Sequence, residues 1–237
     1  NAPLAWRFKG TPARREWDAL RRFRSAGLDC PEPVILGEAR DSWGLPQAAV
    51  LATKEIAGCE EISVAVDRLR AAGDLGGSER LTHDLARIAW TIFQAGGNHP
   101  DMHLGNFLVR PDGGVVTLDL HSVRLSDRPV PAWLRRRRLG KLAHSFGPHL
   151  SPSGVQEVTW FAWAYAGFDH ALGPAPALAN WLLERAARVE AIRLKSRDKR
   201  CLVHSTLFTN DRIRGARIYR RRECSREAVQ EAAAATP

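Results

Sequence analysis

No stretch of this 237-residue chain reaches the roughly eighteen uncharged apolar residues of a membrane-spanning helix. The chain also lacks the basic-then-apolar opening of a signal peptide. It starts at Asn1 without an initiator Met, as expected of a segment of a longer protein. No CxxC pair occurs. Cys30, Cys59, Cys201 and Cys224 stand far apart, which disfavours a zinc site and suits free thiols in a reducing cytoplasm. Acidic residues are in deficit, 26 Asp and Glu against 35 Lys and Arg, for a formal charge of +9. Arginine clusters at 135–138 and 220–222 carry much of that excess and favour anionic partners. There is no internal repeat. The length suits one large domain or two small lobes around a shared cleft.

Thr11-Pro12 reads as a helix start, with Thr as cap and Pro at the first helical position. The helix is expected to run to about Gly27. Glu16, Leu20 and Phe23 then share one face, a carboxylate on an apolar stripe. Pro33–Gly37 and Ala48–Thr53 are strand-like. Ser78 is expected to cap a helix with Leu81, Leu85, Ile88 and Ile92 on one face, stopping at Gly96-Gly97. A loop, residues 98–106, follows. Phe107–Val109 and Val115–Leu118 form a hairpin around Pro111-Asp112-Gly113-Gly114. Helices rich in Trp and Leu fill the chain to about Lys195. Cys201–Phe208 and Ile213–Tyr219 are expected to make a second hairpin about Thr209-Asn210-Asp211.

The first hairpin suggests a chemistry. A symmetric turn at Pro111–Gly114 would set Asn106 opposite Asp119, with both side chains on one face. An amide oxygen and a carboxylate there suit Mg²⁺, which takes hard oxygen ligands and substrate phosphates. Asp101 precedes Asn106 on the same loop and is placed to meet a hydroxyl presented to that metal. Phosphoryl transfer needs this layout: one Asp orients the attacking hydroxyl and takes its proton, while an Asn and a second Asp hold metal against phosphate. His99 reads as structural support for the loop and His103 as a bystander.

His99-Pro100-Asp101-Met102-His103-Leu104-Gly105-Asn106-Phe107-Leu108-Val109 resembles the catalytic loop of the bacterial lipopolysaccharide-core sugar kinases, the Kdo and heptose kinase group of the protein-kinase-like superfamily. Leu118-Asp119-Leu120-His121 is similar to the same family's metal-binding segment. Ala13–Trp17 with Pro31–Val34 resembles its small-lobe helix and the strand after it. The resemblance covers roughly residues 11–145. It implies an α+β, two-lobed protein-kinase-like fold with a truncated small lobe (1–57), a mainly helical catalytic lobe (58–200) and a C-terminal hairpin and tail (201–237). It also implies ATP and Mg²⁺ as cofactors, Asp101 as base, Asn106 and Asp119 as metal ligands, and Glu16 as partner of the nucleotide-binding lysine. The implied partner is a sugar of the lipopolysaccharide core or a lipid A precursor, met in the cytoplasm at the inner membrane. No nucleic-acid partner is expected.

The chain departs from that pattern in places. No glycine-rich loop precedes the Glu16 helix, and Lys9 is the only lysine before it. The lysine is expected upstream of Asn1, so the chain as it stands is expected to bind ATP weakly or not at all. Pro100 stands where many kinases have Arg. Two other classes use the same loop motif. A small-molecule kinase of the aminoglycoside or choline type is one, and the chain's basicity disfavours a cationic substrate. The other is a pseudokinase-like module that docks on an anionic surface. Trp133-Leu134 followed by four arginines reads either as such a membrane-facing surface or as a solvated helix face.

Overall fold

The computed structural model describes residues 6, 10–147, 151–201, 208–213, 216–221, 223–228 and 231. It divides into two compact units, residues 1–187 and 188–237. The boundary between the units falls near residue 187, not at 57 or 200.

Helix α1 (Pro12–Ser25) starts where the Thr11 hydroxyl accepts the Arg14 N–H at 3.1 Å, with Pro12 filling a position that needs no donor. Ala19, Leu20 and Phe23 form its buried stripe. Strands β1 (Pro33–Arg40) and β2 (Pro46–Thr53) pair antiparallel beside it. The Thr11 hydroxyl donates to Glu38 of β1 at 2.8 Å, so the helix cap also fixes the sheet.

A short strand β3 (Glu60–Glu61) leads into α2 (Ile62–Ala72) and the central helix α3 (Leu75–Gln94). The expected cap at Ser78 is corrected: α3 begins earlier, and Asp74 caps it by accepting the Gly77 N–H at 2.8 Å. Gly73, left-handed at φ 65°, closes α2 and hands the chain directly to that cap. Ser78 is instead buried inside α3. Leu81, Leu85, Ile88 and Ile92 are buried along α3, which packs against α5 (Pro152–Phe168) in the main core.

Two glycines end α3 and bring its successor against α1. Gly96 has φ 78°, and a Cβ there would lie 1.9 Å from the Ser126 carbonyl oxygen. A Cβ on Gly97 would lie 2.4 Å from the Phe23 ring. This approach lets β4 (Gly97–Asn98) pair with β7 (Arg124–Leu125) directly under α1. Arg22 of α1 donates to the Ala95 carbonyl at 3.2 Å and to that of Ser126 at 3.3 Å, tying helix and loop to the end of α3.

Strands β5 (Phe107–Val109) and β6 (Val115–Thr117) form the expected hairpin in another register. Val109 pairs with Val115, so Asn106 stands across from Leu118 and not Asp119; the Leu118 N–H donates to the Asn106 carbonyl at 2.8 Å. The reason lies in the turn. Gly113 donates to the Arg110 carbonyl at 2.9 Å, with Pro111 and Asp112 as the corners, and Gly113 itself is left-handed at φ 86°. That is a three-residue loop, and Gly114 belongs to the ladder, its carbonyl accepting from Arg110 at 2.8 Å. Asp29 secures the hairpin from outside through a bidentate pair with Arg110 at 2.7 and 3.0 Å.

Helix α4 (Ala132–Ser145) and α5 complete the first unit with the start of α6 (Ala175–Cys201). Arg135 of α4 is buried and ion-pairs with Asp169 at 2.8 Å, while the Tyr165 hydroxyl donates to the same carboxylate at 3.1 Å. The second unit holds the end of α6 and a hairpin, β8 (Phe208–Ile213) with β9 (Ala216–Arg221). Its register, Ile213 on Ala216, corrects the turn expected at Thr209–Asp211: those residues lie within β8, and two residues, 214 and 215, separate the strands. No described helix is long and apolar enough to cross a membrane. Cys30, Cys59 and Cys224 carry free thiols, and the Cys201 side chain lies outside the described residues.

Gly96→Ala tests this junction. The added methyl meets a carbonyl oxygen in a backbone conformation that alanine disfavours, so a loss on the order of 2–4 kcal/mol is expected. Urea unfolding with an unchanged m-value would show it; a midpoint equal to wild type would remove Gly96 as a packing constraint.

Candidate active site

The segment from His99 to Ser122 carries most of the expected site residues. Met102 and Leu104 bury their side chains and pin the loop to the core. Its polar residues are left to face outward or toward one another. Asp101 is nearly half exposed. Asn106 is buried, and its amide nitrogen donates to the Asp101 carbonyl at 2.7 Å. That bond fixes the amide orientation and leaves the Asn106 Oδ1 as the atom available to a ligand.

Asp119 follows Leu118, the residue across from Asn106. Its backbone is left-handed, φ 54° and ψ 56°, and it is the one non-glycine residue with positive φ among the described residues. This conformation carries strain for a residue with a Cβ and is characteristic of functional turns. It also takes Asp119 out of the β-ladder, so strand parity no longer decides where its carboxylate points. The register correction therefore removes the sequence argument for an Asn106–Asp119 pair, and proximity rests on the turn. His121 contacts the Asp119 carboxylate through Nδ1.

His99 has no solvent exposure, and neither ring nitrogen has a hydrogen-bond partner among the described residues. Burial pushes its pKa down to about 4, against the opposing pull of Asp101 and Asp119. It is therefore a neutral ring near pH 7.

Glu16 reaches the same place from α1. Burial raises its carboxyl above the ordinary value; the His121 imidazole opposes that, Asp119 adds to it, and a hydrogen bond from the Leu120 backbone N–H opposes it. The apolar stripe of α1 thus seats Leu20 and Phe23 in the core while Glu16 meets the turn after Asp119. Lys9 lies outside the described residues.

Helix α4 supplies what the sequence did not reveal. Lys141 ion-pairs with the Asp101 carboxylate, and this hydrogen bond, opposed by partial burial, holds Asp101 below the usual carboxylate range. Arg138 donates to Asn98 Oδ1 at 2.8 Å, and the Ser145 hydroxyl accepts the Leu104 N–H at 3.0 Å. These side chains recur at i, i+3 and i+7, one helix face running along the loop. The spacing is visible in the sequence, but nothing there says which loop the face meets. The four-arginine run also divides: Arg135 is in the core, Arg136 stacks on Trp181 and donates to the Leu172 carbonyl at 2.8 Å, and Arg138 holds Asn98. Only Arg137 of the four is exposed, beside Trp133 one turn away. The run is not one solvated or membrane-facing stripe.

Among the described residues no three His, Cys, Asp or Glu side chains converge as a metal cluster. The donors present, one amide oxygen and one carboxylate, fit a hard cation that completes its shell with phosphate and water, as Mg²⁺ does.

The model of the lipopolysaccharide kinase (Kdo/WaaP) family matches residues 2–164. The lipopolysaccharide core heptose(I) kinase WaaP of Pseudomonas aeruginosa is 30% identical over 141 residues, covering 56% of this chain and 52% of that protein. This chain thus spans about half the length of that curated relative. The solved structure of WaaP in complex with acyl carrier protein superposes with a TM-score of 0.58 at 24% identity, over 74% of this chain and 76% of that one. The fold is accordingly the α+β, two-lobed protein-kinase-like fold.

The buried imidazole makes acid sensitivity predictable. His99 takes up a proton near pH 4 when folded and near 6.5 when unfolded, so the unfolded chain binds more protons between those values. Stability should therefore fall as pH drops from 6.5 toward 4, by at most about 3 kcal/mol from this residue. Thermal unfolding across that range should show a shallower slope for His99→Leu; parallel slopes would assign the acid sensitivity elsewhere.

Proposed function

The chain belongs to the lipopolysaccharide kinase (Kdo/WaaP) family, and on that premise we propose that it transfers the γ-phosphoryl group of ATP, with Mg²⁺, to a sugar hydroxyl of the lipopolysaccharide core. The observation that carries the proposal is the bond from the Asn106 amide nitrogen to the Asp101 backbone carbonyl, which turns the Asn106 amide oxygen outward on the loop whose Asp101 carboxylate is held by Lys141.

In this reading Asp101 receives the acceptor hydroxyl, orients it and takes its proton. The Lys141 contact supports the role in a particular way: a carboxylate held at low pKa is a weak base, but it is always ionised and fixed in direction. A loose phosphoryl-transfer transition state asks more for orientation than for basicity. Asn106 and Asp119 would hold Mg²⁺, which supplies neutralisation of phosphate charge. Glu16 would partner the nucleotide-binding lysine, its carboxylate already anchored to the turn after Asp119. Residues 1–57 are assigned as part of the nucleotide lobe, 58–200 as the catalytic lobe and 201–237 as hairpin and tail. The acceptor would be met in the cytoplasm at the inner membrane, where Trp133 and Arg137 offer an exposed apolar and basic pair.

The test is transfer of labelled γ-phosphate from ATP to a lipopolysaccharide-core oligosaccharide by the full-length protein, including any residues before Asn1, with and without Mg²⁺. Asp101→Asn should lower kcat on the order of 10²–10⁴-fold with ATP affinity nearly unchanged. Lys141→Met should lower kcat less, and Lys141→Arg should restore part of it. Transfer that proceeds undiminished in Asp101→Asn would remove the residue from the chemistry.

A further inference from the structure

Near the catalytic loop lies a cluster of cations that the phosphoryl-transfer reading does not use. Asn98, one residue before His99, is its centre. Its backbone pairs with Arg124 of β7 and its side-chain oxygen accepts from Arg138 at 2.8 Å. Arg137 is the next residue on α4 and is exposed, as is Arg124. Among the described residues no carboxylate pairs with any of these three guanidinium groups, whereas the neighbouring Lys141 is engaged by Asp101. Burial holds Arg138 below the usual guanidinium value, and the charges of Arg137 and Arg124 push it further down, so the groups are close enough to repel one another. Like charges held together without a counter-charge raise the local concentration of anions and favour an anionic ligand.

The position narrows the ligand. Arg124 also lines a cavity of about 440 Å³ with Arg15, Asp18, Val123 and Leu125, within the size range of small-molecule sites. The cluster and the cavity adjoin β4, which runs straight into the loop bearing Asp101. A molecule whose hydroxyl rests at Asp101 would extend past Asn98 and reach the arginines with a more distant group.

We propose that Arg124, Arg137 and Arg138 form a binding site for an anionic group, a sugar carboxylate or a phosphate, carried by the acceptor at a distance from the hydroxyl that is phosphorylated. The proposal rests on the phosphotransferase reading for the acceptor's identity. It makes the preferred acceptor a core oligosaccharide that is already acidic. Planar guanidinium groups suit both anions through paired N–H donors, so the chemistry is shared and the source is left to the experiment.

The experiment is calorimetric titration of the full chain with core oligosaccharide in three forms: native, carboxyl-reduced and dephosphorylated. Native oligosaccharide should bind wild type, and Arg124→Gln or Arg137→Gln should weaken it on the order of 5- to 50-fold. Arg137→Lys should retain most of the affinity. Arg21→Gln, on the exposed side of α1, controls for net charge and should bind as wild type does. Whichever stripped form loses affinity for wild type, and no longer distinguishes the Gln variants, identifies the anion. Equal affinity of wild type and the Gln variants would overturn the site. So would equal binding of all three oligosaccharides, or no binding of the native form. Phosphate transfer is measured separately with the full-length protein: anion-dependent binding without transfer there would sink the catalytic reading and leave the site standing.

Discussion

The arrangement of the loop depends on one helix face. Arg138, Lys141 and Ser145 of α4 meet Asn98, Asp101 and Leu104, so three successive contacts on the helix match three points on the loop. A loop of this composition has few apolar anchors of its own beyond Met102 and Leu104. The helix supplies the rest, and does so with polar bonds whose directions are specific. The orientation of α4 is set in turn by the buried pair of Arg135 and Asp169, with Tyr165 completing the carboxylate's bonds. Removing one partner of such a pair typically costs about 3–5 kcal/mol, because the other charge is left uncompensated. A structural ion pair in the core therefore sits two steps from the acid that would meet substrate.

The arginines of α4 show how one run of identical residues is divided among different tasks by helical geometry. A turn of 3.6 residues sends neighbours about 100° apart, so the four arginines are divided among different contacts. Arg135 is core, Arg136 lies on Trp181, Arg138 bonds the loop at Asn98 and Arg137 is exposed beside it. The formal charge of the chain is consequently a poor guide to its surface. What matters electrostatically is local: Lys141 compensates Asp101, Arg110 compensates Asp29, Arg70 compensates the buried Glu157, and the group around Asn98 is left unmatched.

Much of this was legible in the sequence, and the failures have physical causes. The cap of α1 was readable because Thr-Pro acts locally, through one hydroxyl and one fixed φ. The buried stripe of α3 was readable because its period is that of a helix. The start of α3 was misread because Asp74 and Ser78 are both good caps, and the left-handed Gly73 that favours the earlier one leaves only a weak trace. The register of β5 and β6 depended on whether Gly114 belonged to the turn or to the ladder, a difference of one residue that inverts strand parity. That slip removed the register argument for pairing Asn106 with Asp119, which leaves the ladder through a left-handed backbone that no pattern of apolar residues encodes. Lys141 was invisible for another reason: its partner is forty residues away, and no local rule joins a helix face to a distant loop.

Met102 is the only methionine in the chain and is fully buried between Asp101 and Leu104. Within this chain it is therefore a built-in spectroscopic reporter. Growth on methyl-labelled methionine would place a single magnetic-resonance signal at the centre of the loop, with no assignment problem and no foreign probe. Thioether methyls are mobile and respond to the rings and charges around them. Any rearrangement of the loop on meeting nucleotide, cation or sugar would be read as the movement of one peak.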